Sequence, residues 1–352
     1  MSRAQLRRDL SRNTPGYDIN DALRDMQFKS AKVLDLNVLR ARLRFNSDDS
    51  PAYGYFSQFA SPDATVDFEF TCVDLDQDPL DEAMLARLSD STIRSKRFRS
   101  GYFRGAYFGD PAYLVTRGRH WYVFGRSLEK IVWPYLVKQA LNVFALESGY
   151  LHLKAAALGH PDGGVTLLVG QAGSGKSIFL VQACQNGARF ITNTHTMLRD
   201  GIAYGIPSAL RVRNDECFGG LIEQRNLAGH LVGGEFLASP DLLFSDATMM
   251  SGRVRNIVLM NYQDNNRTRF ERISPEKAIL FLEQFALGVT VYDLRYDLIE
   301  HLDRDVEGYV SAYERMKVEI AALCRGSRCY LANVRMQDPD VRTAVLDELS
   351  AA

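Results

Sequence analysis

The chain has 352 residues, 46% of them hydrophobic and 24% charged, with a net charge of −1. That length has room for two or three domains, and the composition is that of an ordinary globular protein. The near-zero charge gives no global electrostatic case for nucleic acid or a membrane surface, and no apolar run approaches the ~20 residues of a membrane helix.

Residues 1–50 form a polar, arginine-rich N-terminal segment with few periodic signals. Its first stretch, MSRAQLRRDLSRN, is basic but lacks the apolar core of a secretory signal, so a cytoplasmic location is expected. A β-rich accessory domain is expected over 51–126. YGYFSQFA and TVDFEFTCVDL alternate aromatic and β-branched residues with polar ones, which argues strand. DLDQDPLDE spaces Asp74, Asp76 and Asp78 like a calcium loop. Pro79 stands where such a loop needs glycine and Leu85 where it needs Glu, so a solvated acidic turn is the better reading. Hairpins are expected from Ile93 to Val123. There RSKRFRSGYFRGAYF interleaves Arg94, Lys96, Arg97, Arg99 and Arg104 with aromatics, read as strands with a basic outer face. The five cysteines are scattered. Cys324 and Cys329 have no second pair nearby, so neither a disulfide framework nor zinc is expected.

LEKIVWPYLVKQALNVFALES has a helical period, with Pro134 early and Gly149 as its C-cap. YLHLKAAALGH reads as a strand and GHPDGG as a tight turn. VTLLVG is the strand that feeds GQAGSGKS, a match to G-x-x-x-x-G-K-[ST]. In such a loop Gly170, Gly173 and Gly175 let the backbone N–H groups of Gln171, Ala172, Ser174 and Ile178 gather around phosphate at a helix N-terminus. Lys176 supplies a positive charge and Ser177 a hydroxyl for Mg²⁺. Gly187 caps the following helix, and ARFITN is the next strand. RDGIAYGIPSALRVR is a hairpin followed by an extended segment, VRNIVLMNY a buried strand and ISPEKAILFLEQFAL a helix. DRDVEGYVSAYERMKVEIAAL is a long amphipathic helix, CYLANVRM a short strand, and Pro339 opens a last helix.

The segment LHLKAAALGHPDGGVTLLVGQAGSGKSIFLVQACQNGARFITNTHTML resembles the HPr kinase/phosphorylase superfamily, and in particular the HPr-kinase-related proteins found beside bacterial biosynthetic clusters. The likeness runs from about Gly149 to Leu287. It implies an α/β fold like phosphoenolpyruvate carboxykinase, a mixed sheet carrying a P-loop. On that reading 127–300 is the nucleotide-binding domain and 301–352 a helical extension. His152 stands at the family's histidine position, and GIPSALRVR is similar to its G-x-P segment, with Arg211 and Arg213 as further anion-binding candidates. The family's two acids fall on Asn193 and Thr194, neither of them a carboxylate. The R-G-L-G element of HPr kinases is absent, so HPr is not the expected substrate.

Three readings follow for the missing acids. Asn193 binds Mg²⁺ beside Ser177, with His195 or His152 as base; or Asp246, Asp264 or Glu216 substitutes; or nucleotide is bound without turnover. The expected function is therefore an ATP-dependent kinase acting on a hydroxyl of a small metabolite or peptide, with Lys176, His152, His195 and Asn193 as its catalytic candidates. The alternative is a nucleotide-binding adaptor. GTP or pyrophosphate as donor, a protein partner of the N-terminal domain, and a homo-oligomer stay open; no nucleic acid or membrane partner is expected.

Overall fold

The computed structural model describes residues 23–88, 112–213, 247–261 and 268–351, with shorter pieces at 19, 91–92, 218–224, 231–232 and 235–244. The basic–aromatic run from Arg94 to Arg104 and the acids Glu216, Asp246 and Asp264 lie outside the described residues. Two compact units divide the chain, Met1–Ala140 and Leu141–Ala352.

The first unit is a seven-stranded sheet of order β3-β1-β2-β4-β7-β6-β5. Its strands are β1 Ser30–Asp35, β2 Arg40–Phe45, β3 Phe59–Ala60, β4 Phe68–Asp74, β5 Ser91–Thr92, β6 Tyr113–Arg117 and β7 His120–Gly125, and its described residues include the helix α1 Glu82–Leu88. β2 reads RARLRF. Ala41, Leu43 and Phe45 point inward, while Arg42 bonds Glu69 Oε1 at 2.8 Å and Arg44 bonds Thr71 Oγ1 at 2.9 Å on the neighbouring strand. Residues expected as a polar leader thus supply two sheet strands, because alternate arginines have cross-strand partners. YGYFSQFA opens in a 3-10 turn, Pro51–Tyr55, and only its last two residues, Phe59–Ala60, form a strand; Ser50 caps the turn and Tyr53 donates to Leu43 O. The acidic turn is fastened and not merely solvated. Asp76 pairs with Arg126 at 2.9 Å, and Asp78 accepts from Asn46.

The expected helix over 128–148 divides into a 3-10 turn Leu128–Lys130, a π-turn Val132–Val137 and the regular helix α2 Lys138–Ser148. Pro134 has no N–H to donate, and Leu136 N reaches back five residues to Ile131 O at 3.1 Å. These turns lie against Pro51–Tyr55, with Trp133 edge-on to Phe56, so the first unit extends past residue 126.

The second unit is built on a nine-stranded mixed sheet. Its strands are β8 Leu151–Lys154, β9 Ala156–Gly159, β10 Gly164–Val169, β11 Arg189–Thr192, β12 His195–Arg199, β13 Ile202–Gly205, β17 Ser251–Met260, β18 Arg269–Arg272 and β19 Arg328–Asn333. The main path is β11-β9-β10-β17-β13-β12-β8, and β19 pairs with both β17 and β18. β10 runs parallel to β17, so both end at the same edge of the sheet. Every residue of β10 is buried, as a largely apolar strand between two neighbours requires, and its one polar side chain, Thr166, is hydrogen-bonded. A small sheet of order β14-β16-β15 comprises β14 Leu210–Arg213, β15 Leu231–Val232 and β16 Glu235–Ala238. The helices of the unit are α3 Lys176–Cys184, α4 Gly219–Gln224, α5 Pro240–Phe244, α6 Pro275–Phe285, α7 Gly288–Val291, α8 Arg295–His301, α9 Val306–Arg325 and α10 Pro339–Ser350.

The C-terminal region is not an appendage of this unit. Tyr330 of β19 and Val345 and Leu349 of α10 share one core with Phe179 and Leu180 of α3, Leu168 of β10 and Val258 of β17. Fully buried Asn256 of β17 ties the region down. It donates to Thr166 Oγ1 at 2.9 Å and to Leu349 O at 2.8 Å, and accepts from Arg328 Nε at 2.9 Å. Among the described residues no helix is long and apolar enough to cross a membrane.

Candidate functional site

β10 ends at Val169, and α3 begins at Lys176. The glycines between them serve two different ends. Gly173 and Gly175 have φ of 80° and 83°, the left-handed region that side chains disfavour. Gly170 is needed for space: a Cβ there would lie 2.5 Å from Ser174 Oγ and 2.7 Å from Met260 O at the end of β17. Gln171, Ala172 and Gly173 are exposed at the tip, while Ile178 packs against the core under α3.

The loop closes around its own lysine. Lys176 Nζ donates to Gly170 O at 2.8 Å, Gln171 O at 2.6 Å and Ser174 Oγ at 3.2 Å. None of these acceptors is charged, so the ammonium is solvated by dipoles only. Burial, and then the positive charge of Lys154, push its pKa down to about 8. An anion entering this loop would restore the missing opposite charge.

The polar run TNTHTM separates into three tasks. Thr192 and Thr196 are buried and donate to backbone carbonyls, Ile206 O and Ala155 O. His195 turns into the sheet. Asn193, in the bend between β11 and β12, faces the loop and accepts from Ser177 Oγ at 3.1 Å. The hydroxyl expected to hold a metal is therefore paired with the Asn193 amide, where the sequence resemblance implies an acid.

This donor set fits a resident divalent cation poorly. Both oxygens are neutral, and none of the hydrogen-bond partners of Lys176 or Ser177 is a carboxylate. No group of three or more His, Cys, Asp or Glu suited to a metal occurs among the described residues. Hard divalent cations are held chiefly by carboxylates.

His152 does not run beside the loop strand, as one continuous strand over LHLKAAALGH would require. The strand breaks at Ala155. β9 continues against β10, whereas β8 pairs with β12, setting Lys154 opposite His195 and His152 opposite Met197. The break is fixed where Lys154 N donates to Ala286 O at 2.7 Å. His152 Nε2 lies 2.9 Å from His195 Nδ1, and Tyr292 OH is 3.4 Å from that same nitrogen. Both imidazoles are closed off, at 2% and 0% exposure. Gly288, at the start of α7, abuts His152: a Cβ there would come within 2.6 Å of its Nδ1.

Lys154 lies on the same strand face as His152, two residues on. Its ammonium stands 5.8 Å from the centre of the Tyr292 ring, and burial lowers its pKa. Tyr292 is the member of this group that the sequence does not announce, since TVYDLRY carries no motif. Arg211 and Arg213 lie on β14. Leu210 and Val212 of that strand enter the core, Arg211 is exposed on the other side, and Arg213 pairs with Glu235 along the backbone. The contacts around Lys176, Ser177 and Asn193 do not include Arg211.

No family model matches the chain, and no curated protein matches it in sequence. Among solved structures, the HPr(Ser) kinase/phosphatase from Coxiella burnetii aligns with 56% of this chain and 95% of its own, at 11% identity and a TM-score of 0.28. That is a distant structural likeness to a kinase/phosphatase; the functional reading below rests on this chain's own residues.

Proposed function

We propose that the second unit binds the phosphates of a nucleotide, ATP in the first instance, over Gly170–Ser177, and passes a phosphoryl group to a hydroxyl of a small metabolite or peptide. The observation that carries this reading is Lys176. It is a part-buried ammonium at a helix N-terminus, held by neutral acceptors inside a glycine loop. Buried positive charge without a counter-charge is costly, and an incoming phosphate relieves the cost.

In this reading Lys176 leaves its carbonyl acceptors for the terminal phosphates. Asn193 fixes the Ser177 hydroxyl beside them. Mg²⁺, where it accompanies the nucleotide, adds charge neutralisation and, among the described residues, would meet the Ser177 and Asn193 oxygens. Phosphoryl transfer depends mainly on positioning and electrostatics, and its loose transition state asks little of a base. His152 and His195 are too buried to touch an acceptor. They are positioning residues that join β8 to β12 beneath Lys154.

The neutral Ser177–Asn193 pair favours a second reading, an adaptor that holds nucleotide without turning it over. The discriminating experiment is ADP release from ATP with and without a small-molecule and peptide extract of the source organism. Release stimulated by extract and lost in Lys176→Ala is expected of the kinase, with mass spectrometry naming the acceptor. ATP binding without release under any condition would hand the site to the adaptor reading.

A further inference from the structure

We propose that Lys154 takes the place of a divalent cation at the glycine loop, so that polyphosphate binds this chain without metal. The inference rests on the phosphate-binding reading above and deepens it.

The placement comes from sheet register. Ser177 of the loop bonds Asn193 at 3.1 Å. Two residues on, His195 opens β12, and its partner across the ladder is Lys154. Residues directly opposite in an antiparallel pair share a face. The strand that leaves Asn193 thus carries its neighbour's lysine toward the same corner. The Lys154 ammonium stands 5.8 Å from the centre of the Tyr292 ring, and among the described residues no carboxylate acts on it. Burial without an anion lowers its pKa, and its charge acts on Lys176.

The exchange leaves the site one unit more positive. Two carboxylates with one divalent cation sum to about zero before the nucleotide arrives. Here both carboxylate positions, Asn193 and Thr194, are neutral, and a fixed cation stands at residue 154. On this proposal Lys154, whose charge already acts on Lys176, joins it in neutralising the phosphates in place of a metal. A metal held by Asn193 would add to this positive charge, with no carboxylate among the contacts of Lys176 and Ser177 to offset it.

The test is equilibrium binding of ATP at pH 7, once with excess EDTA and once with Mg²⁺, to the full chain and to Lys154→Met, Lys154→Arg and Lys176→Ala. Thermal melts would check that each variant folds. Wild-type affinities within about threefold in the two conditions are expected. In EDTA, Lys154→Met should bind at least tenfold more weakly, while Lys154→Arg stays near wild type. The double variant Lys154→Met/Asn193→Asp should bind ATP only with Mg²⁺. Wild-type binding that falls more than tenfold in EDTA would overturn the proposal, and needs no variant to fold. So would a Lys154→Met variant that binds in EDTA as well as wild type. A chain that binds no ATP in either condition, or a Lys176→Ala variant that binds normally, would instead overturn the phosphate-binding reading itself.

Discussion

If phosphate binds at Lys176 as proposed, the lysine's low pKa makes that binding pH-dependent with a calculable slope. In the unliganded chain the ammonium loses its proton near pH 8, because burial and then the Lys154 charge disfavour it. With phosphate beside it, the charged form is stabilised and the pKa returns to the ordinary lysine range, ~10.4. Binding therefore takes up a proton: about half a proton at pH 8 and close to one at pH 9. The fraction of chains ready to bind is about nine-tenths at pH 7, about half at pH 8 and about one-tenth at pH 9. ATP affinity should then fall roughly twofold from pH 7 to 8 and roughly tenfold from pH 7 to 9. The terminal phosphate, with a pKa near ~6, is already ionised across this range and does not produce such a fall. Titration calorimetry in two buffers of different ionisation heat reads the proton count directly. Lys176→Arg should flatten the profile, since guanidinium stays charged. Lys154→Met should move the fall to higher pH, because one of the two causes is removed. An affinity that is level from pH 7 to 9, in a chain whose binding still requires Lys176, would refute the reasoning.

Three further outcomes are expected. Without ligand, the unfolded chain holds the Lys176 proton up to the ordinary lysine range and the folded chain gives it up near pH 8. Between those values the unfolded state binds more protons, so stability rises with pH; the melting temperature of wild type should climb over that window relative to Lys176→Met. Asn256→Ala strands the donors and acceptors of Thr166, Arg328 and Leu349, at a cost of about 3 kcal/mol; urea unfolding should show a lower midpoint, and proteolysis should release α10 first. Gly205→Ala would set a Cβ 2.4 Å from Ile191 O, a backbone atom that cannot step aside. A loss of about 1–3 kcal/mol in denaturant unfolding is expected.

What the sequence makes legible follows from how local each signal is. The strand–glycine–helix passage around Lys176 is readable because strand, loop and helix are contiguous and each has its own composition. β10 and the second half of β17 are readable for the same reason, through the apolar stretches LLV and IVLM. β2 is not missed for want of a signal: RARLRF alternates cleanly, but its outward arginines suggest a polar leader until their partners Glu69 and Thr71 are seen. The break at Ala155 has no local mark, since AAA carries no glycine, proline or turn-forming polar residue. Pairing with β12 and the Ala286 carbonyl decide it. Tyr292 and Asn256 become important only through residues far along the chain. The polar run TNTHTM draws attention as a whole, yet the fold spends its two buried threonines on carbonyls and bonds Asn193 to the loop.

The most direct test of the central claim is ATP binding to wild type and Lys176→Ala at pH 7, with circular dichroism to show both are folded. Wild type should bind and the variant should lose at least a hundredfold in affinity. Equal binding by the two would place nucleotide elsewhere and contradict the assignment of Gly170–Ser177 as the phosphate site.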